Sequence, residues 1–413
     1  MFYGWRVVFG ALVSQLFVIG FFTYAASLLV TPVREEFGVS LEQVMYGLTL
    51  GTVIGLILTP VAGIMIDRLP VRRLMVGGSL TFVIGLWQLA QSQSITEYVI
   101  LFALTMSLAN AFAGTTAATA VVSRWFTASR GRALGVTALG TSIGGVIVPA
   151  LLSSWLNEHG WRGSLEQLAL LALLIMLPVI VLTIRGKPTD VGLAAETDAT
   201  GASSAGAERF SMTLMDILKT PAYWYMGLSL GILISTYSAI LANLTPYAIN
   251  LGHSEERAST LIMTIAVGGF IGKLLFGAAA DKFSLKAALW TAQGLVLTGF
   301  LVLATEPNYA IIFIGTSAMG LAAGGMLPVW AALMVRIFGL LSYGRAMGLM
   351  GPLLTVLIMP GYALVGRLYD INDNFTLVLS LFSGAVVVGA ALLIPLKVDV
   401  AKLQIDLQET EAT

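Results

Sequence analysis

Twelve apolar runs, each long enough to cross a bilayer core about 30 Å thick at about 1.5 Å per helical residue, occupy most of this 413-residue chain. They lie near 7–30, 44–66, 74–93, 97–122, 133–156, 165–184, 222–250, 258–280, 285–304, 309–335, 346–366 and 375–396. Hydrocarbon offers no partner to backbone amides, so a run of this length has to satisfy its own hydrogen bonds as a helix. An all-α integral membrane protein with twelve transmembrane helices is therefore expected. Composition agrees: only 11% of the residues are charged, where a soluble chain carries about 25%. The net charge of zero leaves no basic excess for nucleic acid. The chain has no cysteine, and its two histidines, His159 and His253, fall in expected loops. No catalytic constellation lies at membrane depth, so neither an enzyme nor a cofactor or metal site is expected. No A-x-A cleavage site follows the first run, which is therefore expected to stay as a helix.

Lys and Arg set the orientation. With the N-terminus inside, 17 of the 22 basic residues fall in cytoplasmic segments and four in outer loops. Both termini are thus expected in the cytoplasm, with the protein in the plasma membrane, or the inner membrane of a Gram-negative cell. Most connections are short; 185–221, between runs six and seven, holds an Ala/Ser/Thr/Gly-rich stretch from Ala194 to Ala207 and reads as a flexible linker. The expected organisation is a six-helix bundle over 1–184, this linker, a second six-helix bundle over 222–396, and a polar tail over 397–413.

The chain also repeats. Gly63-x-x-x-Asp67-Arg68, with Arg72 and Arg73 behind it, matches Gly277-x-x-x-Asp281-Lys282 at an offset of 214 residues, and Gly55 matches Gly269 at the same offset. Arg130-Gly-Arg132-Ala-Leu-Gly135 matches Tyr343-Gly-Arg345-Ala-Met-Gly348 at an offset of 213. Two six-helix halves related by an axis along the membrane normal account for both matches. Gly63, Asp67, Arg68, Arg130 and Asp281 form an expected conformational latch: the glycine admits a close helix approach, and the carboxylate meets a helix N-terminus or a nearby arginine. Topology alone accounts for Arg72 and Arg73. Small-residue faces recur at Gly51/Gly55, Gly140/Gly144, Gly268/Gly272 and Gly320/Gly324, where packing alone suffices to explain any one of them.

One charge falls inside a run. Lys273 lies eight residues from Asp281, about 12 Å deep, and all 22 acidic residues fall in loops or at helix ends, so no carboxylate is expected at its depth. Intramembrane ions mark functional sites, whereas snorkelling to the interface would leave most of that depth uncovered. Gly269, one turn earlier, is expected to leave room for a ligand or water. Tyr24, Tyr237, Asn243 and Trp330 are further candidates for lining a substrate pocket; Tyr247, Thr115, Thr116 and Ser142 are weaker ones, and each alone can equally be packing.

These residues resemble a major facilitator superfamily transporter over essentially the whole chain, and within it the monocarboxylate transporter and oxalate/formate antiporter group. Tyr3-Gly4-Trp5 is similar to that group's N-terminal motif. Trp125-Phe126-x-x-x-Arg130-x-Arg132-Ala133-Leu134-Gly135 with Gly140 and Gly144 resembles its fifth-helix motif, and Gly160-Trp161-Arg162 and Gly366-x-x-Tyr369-Asp370 add support. In the group, helix eight commonly reads Gly-Arg-x-x-x-Gly-x-x-x-Asp, with the Arg on the substrate carboxylate. Here the frame is Gly272-Lys273-x-x-x-Gly277-x-x-x-Asp281, which keeps the charge and loses the planar fork. Gly269 stands where proton-coupled members carry a carboxylate, and run eleven lacks the second cation of dicarboxylate exchangers.

The resemblance implies a secondary transporter, expected as a monomer, that moves a small organic anion of the monocarboxylate type by alternating access. Lys273 would hold the anion, and Tyr24, Tyr237, Asn243 and Trp330 would orient it. Burial disfavours a lone ammonium, so Lys273 taking up a proton with the anion would give symport; exchange of anions (antiport) is the competing mode. A carrier or exporter of neutral or lipophilic solutes, and a membrane receptor that transports nothing, remain as alternatives.

Overall fold

The computed structural model describes residues 2–126, 130–192, 212–280, 284–338 and 342–396. Among them there is no strand, and ten helices are long and apolar enough to cross a membrane. One of these, Arg132–Thr183, is broken at Gly160, whose φ of 65° and ψ of 179° suit glycine alone, and therefore counts as two. With the shorter apolar helix Thr376–Ala391 the number is twelve. In order they are α1 (Gly4–Phe37), α2 (Leu41–Arg68), α3 (Val71–Ala90), α4 (Ile95–Ser123), α5 (130–159), α6 (161–183), α7 (Pro221–Ala242, resuming as Leu244–Asn250), α8 (Glu255–Ala280), α9 (Leu285–Ala304), α10 (Tyr309–Phe338), α11 (Tyr343–Asn372) and α12 (Thr376–Ala391).

Several helices outrun the apolar stretches that announce them. α11 continues past 366 to Asn372, which puts Tyr369 and Asp370 on the helix rather than after it. Hydropathy ends where the polar last turns begin; the backbone ladder does not. Interruptions also fall inside the runs. α1 carries a π turn at Gly20–Tyr24 and a 3-10 turn at Ala25–Leu29. α7 breaks at Asn243 (φ −110°, ψ 11°), where Pro246 has no N–H to give the carbonyl of Ala242. At the 214-residue offset of the repeat, Leu29 corresponds to Asn243, so the first and seventh helices are interrupted at matching places.

The chain forms two compact units. The first comprises Met1–Ala202, Ser238–Val267 and Met359–Val378; the second comprises Ser203–Tyr237, Gly268–Ile358 and Leu379–Thr413.

In the first unit, the Gly140/Gly144 face of α5 lies directly on the backbone of α1 at Leu12 and Leu16. A β-carbon on Gly20 would stand 2.8 Å from the carbonyl carbon of Gly144, so no larger side chain fits this crossing. Gly51 packs on Ala103 and Ser107 of α4, and the Ser107 hydroxyl donates to the Gly51 carbonyl at 2.8 Å. Two sequence motifs prove to be one cluster: Tyr3 stacks on Trp125 at 5.4 Å and Trp5 meets Phe126 edge-on at 5.2 Å. The Trp125 indole in turn donates to the Arg185 carbonyl at 2.9 Å, tying the ends of α1, α4 and α6 together. A third motif has a comparable role at the other end. Trp161 and Arg162 both donate to Glu36, at 2.5 and 2.6 Å, and Arg162 also donates to the Ala90 carbonyl at 2.6 Å.

In the second unit, α8 and α10 cross through Gly268, Gly272, Gly320 and Gly324. α7 and α11 meet where Gly227 and Gly231 receive Met350, Leu353 and Leu357, and the Tyr223 hydroxyl donates to the Leu349 carbonyl at 2.9 Å. Ser229, Gln293 and the Gly389 carbonyl join α7, α9 and α12 in a buried chain of hydrogen bonds of 2.8 and 2.6 Å. Lys286 donates to the carbonyls of Ile394 and Leu396 beyond α12, as a cation at a helix C-terminus should. Before α7, Thr213 and Asp216 form a capping box on the short helix Leu214–Lys219; Thr213 holds the exposed Asp216 carboxyl below its ordinary range.

Candidate functional site

The backbone around Lys273 is set by its glycines. Without side chains at Gly272 and Gly324, α8 and α10 touch backbone to backbone: a β-carbon on Gly324 would lie 2.6 Å from the Lys273 nitrogen and 2.9 Å from the Gly272 carbonyl carbon. One residue further, Gly325 lies beneath the Phe276 ring. Lys273 itself is half-buried. Gly269 is buried, with the Gly320 carbonyl oxygen at ordinary contact distance, 3.7 Å, from where its β-carbon would be. Gly268 and Gly272 of α8 are used for packing on α10.

Trp330 is on the same helix as Gly324, nearly two turns further along. It is 4% exposed, and its indole N–H has no hydrogen-bond partner among the described residues. A buried donor left without an acceptor costs about 1–3 kcal/mol, so such a group calls for an occupant. Tyr237, buried on α7, is the last residue of its segment of this unit. The second unit therefore holds Lys273, Trp330 and Tyr237.

Tyr24 and Asn243 belong to the first unit. Tyr24 ends the π turn of α1, and its ring lies beside Gly145 of α5, next to Ala266 of α8. Asn243 sits at the break of α7 and is 1% exposed. Its amide nitrogen donates to the Ala239 carbonyl at 2.9 Å and reaches the Met45 sulfur at 3.4 Å, while its amide oxygen has no partner among the described residues. Close by, the hydroxyls of Ser27 and Thr245 meet at 3.1 Å and join the two interrupted helices. Among the weaker candidates, Thr115 donates to Gln15 at 3.5 Å, and Ser142 and Tyr247 are buried.

Of the expected latch, Gly63 and Arg68 are described. Nothing among the described residues lies within 4 Å of a β-carbon on Gly63. Arg68 is exposed. Beside it, Arg124 donates to the Ile66 carbonyl at 2.6 Å, at the C-terminal turn of α2. The Asp67 and Arg130 side chains and the whole of Asp281 lie outside the described residues. No cluster of His, Asp or Glu suited to a metal occurs among the described residues.

Sequence reasoning overlooked Asp370 and Glu36 as organising groups. Both sit in polar stretches at helix ends, where a carboxylate gives no local sign of its partner.

Comparison with known proteins follows the same lines. The family model described as Major Facilitator Superfamily matches residues 11–272 and again 234–412. An MFS-type transporter of Gibberella moniliformis is 25% identical over 332 residues, which cover 79% of this chain and 75% of that protein. The agnestins efflux protein AgnL12 of Paecilomyces divaricatus is 26% identical over 333 residues, 79% of this chain and 71% of the relative. The riboflavin transporter MCH5 of Saccharomyces cerevisiae is 26% identical over 288 residues, 65% of this chain and 54% of its own length. Among solved structures, a bacterial homolog of the human lysosomal transporter Spinster, inward-facing and unoccupied, has the same fold: the TM-score is 0.67 at 15% identity, over 95% of this chain and 94% of the other. With an all-α fold of twelve apolar helices and a family model matched from residue 11 to residue 412, the chain belongs to the Major Facilitator Superfamily.

Proposed function

We propose that this multi-pass secondary transporter carries a small organic anion of the monocarboxylate type, with Lys273 as the counter-charge. The observation that carries this reading is the cation itself, about 12 Å along α8 from its polar end. Trp330 supports it: a buried N–H without an acceptor, in the same unit as Lys273, is suited to an anionic oxygen. Tyr24, Tyr237 and Asn243 complete the proposed set of orienting groups. Lys273 takes a proton as the anion binds, so the pair crosses neutral; anion exchange is the competing mode. The protein works as a monomer in the plasma membrane, with both termini cytoplasmic and a six-helix bundle on either side of the 185–221 linker. Gly63, Asp67, Arg68, Arg130 and Asp281 act as the cytoplasmic latch.

A thermal-shift screen of carboxylates on purified protein, repeated on Lys273→Gln, tests the assignment. A carboxylate that raises the melting temperature of the wild type and not of the variant is the expected result; equal shifts in both would refute it. Uptake into proteoliposomes with and without a pH gradient then separates symport from exchange. A second reading has its own support, since relatives bear the names agnestins efflux protein and fujikurins efflux protein. In that reading the solute is a larger, lipophilic compound and Lys273 a polar anchor, and Lys273→Gln leaves transport intact.

A further inference from the structure

We propose that Asp370 is a second conformational latch, at the end of the protein opposite the arginine-rich loops, and that it works by capping the N-terminus of α2. The first turn of α2 has two kinds of partner. Ser40 and Gln43 satisfy each other: the Ser40 hydroxyl accepts from the Gln43 amide at 3.3 Å, and the Gln43 side chain accepts from the Ser40 amide at 3.0 Å. The amides of Leu41 and Glu42 have no such local partner. Both turn to Asp370, 329 and 328 residues away, whose two carboxylate oxygens accept them at 3.0 and 2.9 Å. A charge at a helix N-terminus also meets the favourable end of the macrodipole.

The approach is built for this contact. One turn before Asp370, a β-carbon on Gly366 would stand 2.6 Å from Glu42 Cα, so α11 touches the backbone of α2 only because that residue is glycine. Between them lies Tyr369. Its hydroxyl accepts from Asn250 of α7 at 3.2 Å, its ring receives the Arg34 guanidinium of α1 at 5.2 Å, and its other neighbour is Phe375 at 4.6 Å. Three helix ends, from α1, α2 and α7, thus converge on three residues of one turn of α11.

What makes this a latch rather than a fixed brace is its chemistry. Every hydrogen bond it uses is between polar groups at helix ends, so water replaces each of them when the ends part. The Ser40–Gln43 box stays with α2 and keeps that helix started in either state. Asp370 is therefore the part that can be surrendered and regained in each transport cycle. The proposal rests on the transporter reading and is indifferent to the solute carried.

The test uses the natural absence of cysteine. Spin labels on Tyr46→Cys in α2 and Asn372→Cys in α11 report the separation of these ends by pulsed electron resonance, with no flux measurement involved. The parent pair is expected mostly at short distance. Asp370→Asn keeps the shape and one oxygen but loses the charge, and should raise the long-distance fraction by roughly tenfold relative to the short one. Gly366→Ala leaves Asp370 in place and wedges the approach, and should shift the populations in the same direction. Distance distributions unchanged in both variants would overturn the proposal; so would a shift with Gly366→Ala alone, which would make the contact steric rather than electrostatic. Should Asp370→Asn not fold, Asp370→Glu takes its place, its longer reach misplacing the oxygens.

Discussion

Gly324→Ala offers the sharpest check on how the site is built. Its β-carbon would come within 2.6 Å of the Lys273 nitrogen and 2.9 Å of the Gly272 carbonyl carbon, and closer still to the Gly269 oxygen. Carbon contacts settle at about 3.5–4.0 Å, so α8 and α10 must part by roughly 1 Å. The obstructing atoms are all backbone and cannot rotate aside. Overpacking of this kind costs about 1–3 kcal/mol, with the upper half of the range fitting a backbone clash. The better helix preference of alanine returns about 0.5–1 kcal/mol, leaving a net loss of about 1–2.5 kcal/mol. Gly294→Ala on α9 is the control, since nothing lies within 4 Å of its β-carbon and only the gain should remain. In fluorescence-monitored thermal unfolding in one detergent, Gly324→Ala should melt a few degrees below the wild type and Gly294→Ala at or slightly above it. A Gly324→Ala protein as stable as the wild type would refute the backbone contact at Lys273, and with it the account of how the cation is placed.

Other expectations follow from particular groups. Trp330→Phe removes the unpartnered N–H and keeps most of the ring, so the melting temperature should hold or rise while the affinity for a stabilising carboxylate falls about 5- to 10-fold; equal affinity would remove Trp330 from the site. Arg162→Ala strips Glu36 of its guanidinium partner and the Ala90 carbonyl of its donor, and should cost about 1–3 kcal/mol in unfolding experiments, with Glu36→Gln adding little in the double variant. Asp216 is held below the ordinary carboxylate range by Thr213, so its contribution is complete above that range and is lost as the pH falls through the lowered value. Amide protection across Thr213–Lys219, corrected for intrinsic exchange, should fall in that acidic window for the wild type and be flat with pH in Asp216→Asn; matching profiles would count against the cap.

How much of this was legible in the sequence depends on the range of the interaction. Lipid makes helices obligatory, so the twelve runs could be read from hydropathy alone. The glycine faces at four-residue spacing announced close crossings, and the Gly268/Gly272 and Gly320/Gly324 faces proved to be each other's partners. That pairing was not visible, because small residues state that something comes near and not what. Asp370 and Glu36 were hidden for a different reason. Their partners are backbone amides and an indole hundreds or scores of residues away, which no local pattern encodes. The break in α7 could be suspected from Pro246, but the orphaned amide oxygen of Asn243 emerges only once its nitrogen is seen committed to Ala239.

The contact between Gly324 and the Lys273 nitrogen has a mechanical corollary. A side chain can swing on its own rotors, but the root of this one is wedged against a neighbouring helix with no slack. Whatever pushes the root of the lysine toward α10 must therefore carry α10 along with α8. In that direction the two helices act as one lever, and Trp330, on the same α10, moves with it.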